Sequence, residues 1–438
     1  MAAKISGILL RWVLLAVVLG LAVECSGYLG FYLLTGKLFS RDETQQRRQL
    51  LIESARFISW NVGDRASPAT VIVPHPYLGF VFNPDFDPLG GPVDDSMPVS
   101  KWGFLDDKNP IRPRSDQEFV IGIFGGSVAQ FLSVQGIEAM LSELRGAPEV
   151  ADKRLVVVRT ALNGFKQPQQ LMTLNYLLAL GGHFDMVINL DGANDVSLAP
   201  GWHVGQGIFA FYPRDWPRML GEAGDPNATR MVGEVTYIER LRGQVAEWFS
   251  RAWIRDSAAA NVVWLVLDRR LHESLQEAQV RLAEYIPKAS ELDRGFASHG
   301  PPQDYSDPRV LFDDLARVWK QSSLQMHAIC TALGIRYFHF LQPNQYVADS
   351  KPMADFERSM AILPGSLFER GVRTGYPLLR AAGRELSESG VSFHDLTSIF
   401  QEVREPLYID TCCHLSRTGN VLLGKKIGEI LRRELARR

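Results

Sequence analysis

Five short, continuous apolar runs constrain the fold of this chain more than any other feature. They cover residues 119–124, 155–158, 186–190, 335–341 and 391–394. Stretches in which apolar residues recur at helical spacing, such as 128–144 and 167–180, lie between them. A run that is apolar at every position is typical of a strand buried on both faces of a parallel sheet. Strands that alternate with helices therefore predict an α/β fold with a parallel sheet of about five strands.

The rest of the chain divides around this pattern. The predicted α/β domain covers residues 118–438, and its segment 201–333 is too long for one crossover between strands. Because that segment has several helical stretches, it is predicted to be a helical insertion beside the sheet. Residues 37–117 begin as a polar, helical stretch and then become rich in Pro, Gly and Asp. They are predicted to form an extended arm that packs on the main domain.

Residues 1–36 are predicted to be an N-terminal transmembrane anchor. From Trp12 to Leu34 the chain is apolar or small apart from Glu24. At about 1.5 Å per residue this run is long enough to cross a bilayer. A cleaved signal peptide is the alternative, but Ala22-Val23-Glu24 is a poor cleavage site and the apolar character resumes after it. We therefore expect an uncleaved single-pass anchor in the cell membrane, with the lipid bilayer as a partner.

The charges beside the anchor and the layout of the chain favour opposite orientations in the membrane. Lys4 and Arg11 precede it, whereas four basic residues follow it between positions 37 and 48. The positive-inside rule applied to this count favours a cytoplasmic globular part. A short N-terminal tail before a long domain is instead the usual layout of a signal anchor, which places the globular part in the periplasm or outside the cell. We expect the second arrangement.

Composition excludes several classes of function. The formal net charge is −2, with basic residues spread among acidic ones, so no basic patch for nucleic acid is predicted. The four cysteines have no CxxC spacing, and no metal site is predicted. In an oxidising compartment, a disulfide could join Cys330 to Cys412 or Cys413.

Four polar elements follow predicted strands, in a fixed order. They are Gly125-Gly126-Ser127, Leu162-Asn163-Gly164, Gly192-Ala193-Asn194-Asp195, and the segment from Asp410 to His414. Each alone is compatible with an ordinary turn. In open parallel sheets, however, sites form where strands end at their carboxyl edge. The four elements together therefore predict a functional site at that edge.

This order resembles the SGNH (GDSL-like) hydrolase family, whose four blocks supply Ser, Gly, Asn and His. Ser127, Gly164, Asn194 and His414 match these blocks, over roughly residues 118–438. The chain thus resembles a bacterial, membrane-anchored member of the family. The resemblance implies a flavodoxin-like three-layer sandwich. It also implies a serine esterase or deacylase, that is, a carboxylic ester hydrolase that needs no cofactor or metal.

The roles of the residues follow from the resemblance. Ser127 would be the nucleophile and His414 its general base, oriented by Asp410. The main-chain N–H groups of Ser127 and Gly164, with the Asn194 amide, would form the oxyanion hole. The substrate would be an acyl ester, with an acetylated surface polysaccharide as one candidate.

One departure from the family concerns the acid. The family spaces Asp and His three residues apart, whereas Asp410 and His414 are four apart and Thr411 takes the expected Asp position. A spacing of four would still place both side chains on one face of a helical turn. Asp395, just past the last predicted strand, is a possible substitute acid.

Two alternatives to hydrolysis stay open. The same three residues could pass the acyl group to a glycan hydroxyl, which would make the protein an O-acyltransferase. The unusual Asp–His spacing and the large insertion also suit a non-catalytic scaffold protein in a membrane assembly.

Overall fold

The computed structural model describes residues 2–62, 72–84, 97–112, 114–214, 216–219, 226–252, 254–284 and 296–436. Two units emerge from it. A helical unit comprises Met1–Ser59 and Met231–Arg281, and an α/β unit comprises Trp60–Arg230 and Leu282–Arg438.

The strands are β1 (Ile72–His75), β2 (Gly79–Phe82), β3 (Glu118–Gly125), β4 (Arg154–Arg159), β5 (Met186–Asp191), β6 (Arg336–Leu341) and β7 (Ser392–Asp395). The first helices are α1 (Ala2–Thr35), α2 (Arg41–Val62), α3 (Ser127–Phe131), α4 (Ile137–Leu144), α5 (Gln169–Ala179), α6 (Ala193–Leu198) and α7 (Trp216–Met219). They are followed by α8 (Pro226–Phe249), α9 (Ala258–Glu284), α10 (Phe296–His299), α11 (Pro308–Ala332), α12 (Asp355–Ala361), α13 (Leu367–Glu388) and α14 (Arg417–Ala436). Short π turns, Leu132–Gly136 and Ala199–His203, follow α3 and α6.

The α/β unit is built on a parallel sheet of five strands in the order β4-β3-β5-β6-β7. Each of the five predicted apolar runs coincides with one of these strands, so the predicted α/β fold with a five-stranded parallel sheet is confirmed. Strands β1 and β2 form a separate antiparallel hairpin.

Successive residues of β3 are buried on opposite faces of the sheet. Phe119, Ile121 and Ile123 belong to an apolar cluster that includes residues of α3, α4 and α14. Val120 and Phe124 belong to a second cluster, which includes residues of α5, α11 and α13. Full burial of one such side chain contributes about 1.5–3 kcal/mol. The unbroken apolar pattern of β3 is explained by burial on both faces.

Helix α14 packs unusually closely on the π turn that follows α3. A Cβ added at Gly424 would lie 2.1 Å from the main-chain oxygen of Gly136, and one added at Gly136 would lie 2.2 Å from the oxygen of Asn420. Only residues without a side chain allow the two backbones to approach this far. The C-terminal helix is therefore held directly against the element that follows Ser127.

In the helical unit, α1 has two different halves. Its stretch Trp12–Thr35 has a mean hydropathy of 2.0 and is long and apolar enough to cross a membrane. Nearly all the side chains of this helix between positions 12 and 23 are exposed. From Glu24 onwards, a stripe that includes Gly27 and Phe31 is packed against protein.

Helices α8 and α9 form an antiparallel pair in the same unit. Arg242 of α8 and Asp268 of α9 are both buried and hydrogen-bonded, with Nε and Oδ1 2.9 Å apart. Arg48 of α2 is buried against the start of α9, where its guanidinium contacts Asn261. The charge of Arg242 is paired with that of Asp268, whereas Arg48 is satisfied by neutral oxygens, such as that of Asn261; both arrangements meet the need of a buried ionised group for partners.

The predicted boundaries of the arm need correction. Its first part forms α2, which groups with α1 in the helical unit up to Ser59. Its later part packs on the α/β unit through the apolar side chains of Phe80, Phe82 and Phe104. The arm is therefore divided between the two units.

The predicted insertion 201–333 also needs correction at both ends. Only Met231–Arg281 groups with the helical unit. Helix α11, which we expected to be part of the insertion, buries Leu315, Trp319 and Met326 against the sheet. It is an ordinary helix of the α/β unit, because it leads directly into β6.

The proposed disulfide between Cys330 and Cys412 or Cys413 is wrong in this structure, where all four cysteines are free. Cys330 belongs to the apolar cluster on one face of the sheet and Cys413 to the cluster on the other face. The sheet itself lies between these two thiols.

Candidate active site

Ser127 is the first residue of α3, immediately after the end of β3. The turn between them depends on Gly125, whose φ of +143° is unfavourable for residues with a side chain. A Cβ at this position would lie only 2.1 Å from the main-chain oxygen of Leu190 in β5. The apolar strand and the two glycines thus place a hydroxyl at the carboxyl edge of the sheet, at the start of a helix.

Ser127, His414 and Asp410 lie in one hydrogen-bonded row. The Oγ atom of Ser127 is 2.7 Å from Nε2 of His414, and Nδ1 of His414 contacts Oδ2 of Asp410. Ser127 and His414 are 3% and 5% exposed. A hydroxyl, an imidazole and a carboxylate in this order have the geometry of a serine nucleophile with its base and orienting acid.

The four-residue spacing between Asp410 and His414 is accommodated by a loop, not by the helical turn that we expected. Oδ1 of Asp410 accepts hydrogen bonds from the main-chain N–H groups of Cys412, Cys413 and His414, at 2.9, 3.2 and 3.2 Å. The chain therefore wraps around one carboxylate oxygen, which leaves the other oxygen facing the imidazole.

The carbonyl groups of this loop are held by the segment that follows β6. Side chains of Asn344, Gln345 and Tyr346 donate hydrogen bonds to the main-chain oxygens of residues 412, 410 and 411, at 3.3, 3.0 and 2.8 Å. Three side chains thus bind three successive carbonyls while Asp410 binds the N–H groups. Such a network restricts the conformations of the loop that carries the base.

Two of the expected oxyanion donors, Gly164 and Asn194, belong to a loop and to the start of α6, and both elements contact the start of α3. The loop before Gly164 is joined to α3 because the N–H of Asn163 donates to Oε1 of Gln130, at 2.9 Å. Nδ2 of Asn194 would be 2.5 Å from a Cβ added at Gly126, so its amide lies directly against the residue before Ser127. The same Nδ2 donates one hydrogen bond to the main-chain oxygen of Phe165, at 2.9 Å, and an amide has a second hydrogen to offer.

Asp195 links the loop that follows Gly164 to the start of α6, which carries Asn194. Its carboxylate accepts hydrogen bonds from the main-chain N–H groups of Gln167, at 2.7 Å, and Gly192, at 3.0 Å. Burial and the nearby charge of Asp191 raise the pKa of Asp195 to about 8. Its hydrogen bonds are with main chain, which makes it a positioning residue for the loop of Gly164 and for the start of α6.

Opposing influences determine the pKa of His414. Burial lowers it, but the charge of Asp410, the thiol of Cys413 and the Asp410 hydrogen bond outweigh burial and raise the pKa to about 9. Burial alone would raise the pKa of Asp410, yet the charge and hydrogen bond of His414 hold it below its ordinary value. The imidazolium is therefore well stabilised, as a base that takes up a proton from Ser127 requires.

Asp395, the possible substitute acid, has different partners. Its carboxylate accepts hydrogen bonds from Nε of Arg380 at 2.8 Å and from the main-chain N–H of Thr397 at 2.9 Å. The carboxylate next to His414 is that of Asp410.

Two adjacent thiols border the base. The Sγ atoms of Cys412 and Cys413 are 3.1 Å apart, and together with a ring nitrogen of His414 they form a group of possible metal ligands within 4.8 Å of one another. Thiolates and imidazole suit soft metal ions. Both ring nitrogens of His414 already contact Ser127 and Asp410, however, so a metal bound here would have to displace one of these contacts.

Sequence reasoning missed two residues at this site. The ring of Phe131 lies edge-on to the imidazole of His414, with centroids 5.8 Å apart. Arg214 lies against Gly164: a Cβ at that glycine would be 2.8 Å from Nε of the guanidinium. Phe131 lies four residues after Ser127, one turn further along the same helix. Its position close to the site could therefore have been inferred from the spacing. Arg214 belongs to an irregular segment whose spacing gives no such signal.

Comparison with known proteins adds no identification. No family model matches the chain, and no curated protein matches it significantly.

Proposed function

We propose that this chain is a membrane-anchored serine esterase or deacylase of the SGNH type. The observation that carries the proposal is the row of Ser127, His414 and Asp410, with the loop of Gly164 and the start of α6, which carries Asn194, against the start of α3. His414 would take the hydroxyl proton as Ser127 attacks an ester carbonyl, and would then return it to the leaving alcohol. Water would release the acyl group in the second half of the reaction.

The topology of the sheet supports a flavodoxin-like three-layer sandwich. Taken in chain order, the strands of the parallel sheet lie in the order second, first, third, fourth, fifth. That order is the one found in flavodoxin-like doubly wound folds, which bind ligands at the carboxyl ends of their strands. Ser127 follows the first of these strands.

A direct test uses the purified full chain in detergent. We expect a fluorophosphonate probe to label the protein covalently and an aryl acetate to be hydrolysed, because both reactions require an activated serine. Ser127→Ala is the matched control, since it removes only the hydroxyl oxygen. Equal labelling and equal turnover in the two proteins would overturn the proposal.

The burial of the site favours a second candidate, the O-acyltransferase. Because Ser127 and His414 are 3% and 5% exposed, water has little access to an acyl group on Ser127. An acceptor hydroxyl that fills the site would then compete well with water. Mass analysis of the products, with an acetyl donor and a candidate glycan acceptor, distinguishes transfer from hydrolysis.

The packing of α1 supports a retained anchor over a cleaved signal sequence. The carboxylate of Glu24 accepts hydrogen bonds from Oγ of Ser257, at 2.8 Å, and from the main-chain N–H of Ala258 at the start of α9. A Cβ at Gly27 would lie 2.2 Å from the main-chain nitrogen of Ala259. Cleavage after the apolar run would remove these contacts from the helical unit. Intact-mass measurement of the mature protein tests this point, because cleavage shortens the chain.

We propose that the globular part lies in the periplasm or outside the cell. An apolar span followed by a long globular part is the layout of a signal anchor, which supports this orientation. Fusion of the C-terminus to a reporter enzyme that becomes active only after export tests it. An inactive export reporter, together with an active cytoplasmic one, would reverse the orientation.

A further inference from the structure

A charged side chain lies beside the loop that carries Gly164. A Cβ added at Gly164 would be 2.8 Å from Nε and 2.9 Å from Cζ of Arg214. The backbone of Gly164 has a φ of +83°, a conformation that glycine adopts without strain. Glycine at this position thus has two effects, since it permits the turn and leaves space for the guanidinium of Arg214.

The π turn that follows α6, the helix of Asn194, also contacts this guanidinium. Cζ of Arg214 lies 5.7 Å from the ring centroid of Trp202, in the π turn that follows α6. Contact with an aromatic face holds the plane of a guanidinium while its N–H groups keep their edge for hydrogen bonding. Arg214 is half-buried, so solvent screens its charge less than that of a fully exposed side chain.

The charge of Arg214 acts at the reacting residues. Burial is the main influence that lowers the pKa of His414, and the positive charge of Arg214 also lowers it. The guanidinium is therefore close enough to affect the base electrostatically. It lies beside the loop of Gly164 rather than within the row formed by Ser127, His414 and Asp410.

We infer that Arg214 forms a binding subsite for an anionic group of the substrate, a carboxylate, phosphate or sulfate close to the ester that Ser127 attacks. This inference rests on the proposed esterase function. A guanidinium presents paired N–H donors that match the oxygens of these anions, and it stays charged at all relevant pH values. The substrate class is therefore an ester of an acidic molecule, such as an acylated sugar acid.

The alternative role for Arg214 is direct stabilisation of the oxyanion in the transition state. The two roles predict different responses to a change of substrate. An oxyanion contact serves every ester equally, whereas an anion subsite serves only esters that carry a negative group.

A matched pair of small esters separates these roles. 4-Acetoxybenzoate and 4-acetoxybenzamide differ in charge but hardly in shape. With Arg214→Gln in the full chain, we expect kcat/KM for the benzoate to fall at least about tenfold, mainly through KM, and that for the benzamide to change less than about twofold. 4-Acetoxyphenyl phosphate and sulfate then show which anion is preferred. Arg373→Gln, at an arginine that is 65% exposed, is the control.

Two results would overturn the inference. Equal losses for benzoate and benzamide would make Arg214 an oxyanion donor, and an unchanged preference for benzoate would mean that no anion binds there. Thermal unfolding of each variant shows whether it has folded.

A binding measurement separates this inference from the esterase proposal. Ligand-observed NMR compares binding of 4-acetoxybenzoate to Ser127→Ala and to Ser127→Ala/Arg214→Gln. We expect binding only to the first protein, and equal binding to both would overturn the subsite. Loss of binding in the double variant, without hydrolysis by the unmodified chain, would support the subsite and contradict the esterase.

Discussion

Asp410 holds His414 at two points: Oδ2 contacts Nδ1 of the ring, and Oδ1 accepts a hydrogen bond from the main-chain N–H of the same residue, at 3.2 Å. The carboxylate therefore orients the imidazole and shapes the loop that carries it. These two tasks can be separated by substitution.

Asp410→Asn keeps an oxygen for the loop but loses the charge. We expect kcat to fall by about 10³–10⁴, because the amide favours the wrong tautomer of His414, with little change in the melting temperature. Asp410→Ala also removes the acceptor for three N–H groups, so it should lower the melting temperature as well. Steady-state kinetics and thermal unfolding of both variants check this. Equal melting temperatures would mean that the carboxylate does not organise the loop.

The pH dependence of hydrolysis should reflect the raised pKa of His414. Only the neutral imidazole accepts the proton of Ser127. We therefore expect kcat/KM to rise with pH, and the midpoint of this rise to lie near pH 9. The stability that His414 contributes has the opposite trend, because it is complete below about 6.5, the ordinary pKa, and is lost as pH rises through about 9. Cys413→Ser should lower the midpoint, because it removes the negative charge of the Cys413 thiolate, which raises the pKa of His414. A midpoint that stays unchanged in this variant would contradict the role of Cys413.

Oxidation of the adjacent thiols should abolish the proposed esterase activity. The Sγ atoms of Cys412 and Cys413 are 3.1 Å apart, and their N–H groups both bind Asp410. Oxidised glutathione would take two protons and two electrons from this pair, which yields one disulfide and two reduced glutathione molecules. We expect a loss of about 2 Da by mass spectrometry, a parallel loss of activity, and recovery with a reducing agent. Cys412→Ser should be insensitive, whereas Cys330→Ser should respond like the unmodified chain.

The close contact between α14 and the π turn should be sensitive to any added side chain. A Cβ at Gly424 would lie 2.1 Å from the main-chain oxygen of Gly136. We expect Gly424→Ala to destabilise the α/β unit by about 1–3 kcal/mol, since backbone must move. Denaturant unfolding measures this change. Gly205→Ala is the control, because no atom lies within 4 Å of its added Cβ. Equal stability of the two variants would show that α14 can shift freely.

Glu24 should stabilise the helical unit. Its carboxylate accepts a hydrogen bond from the main-chain N–H of Ala258, the first residue of α9, where negative charge is favourable. We expect Glu24→Ala to reduce stability by about 1 kcal/mol, measured by thermal unfolding of the full chain in lipid nanodiscs. Leu33→Ala, at a side chain that is 73% exposed, is the control and should have less effect in the same assay. A Glu24→Ala protein as stable as the unmodified chain would remove this contact as an argument for a retained anchor.

Local pattern was sufficient to predict the sheet. The central strands β3, β5 and β6 are buried at nearly every position, because both faces of the sheet are covered. The residues at the strand ends were therefore expected at one edge, and the contact between Ser127 and His414 agrees with that expectation. The closeness of Ser127 and His414 therefore follows from the topology of the parallel sheet.

Long-range contacts account for what could not be predicted. The loop from Asp410 to His414 depends on side chains after β6, such as Tyr346, more than sixty positions earlier. Arg214 reaches Gly164 from an irregular segment without periodicity. The division of the arm and the insertion between two units likewise depends on packing between distant helices, which no local spacing encodes.

The contact between Ser127 and His414 joins residues 287 positions apart. Under the proposed mechanism, a nascent chain acquires Ser127 early but has no base to activate it until the last strand and α14 have been made and packed. Loop closure over such a distance is slow, so reactivity is gained late in folding. An esterase of this design would be chemically inert towards the esters around it while unfinished, and reactivity towards a serine-directed probe would serve as a reporter of completed folding during biogenesis.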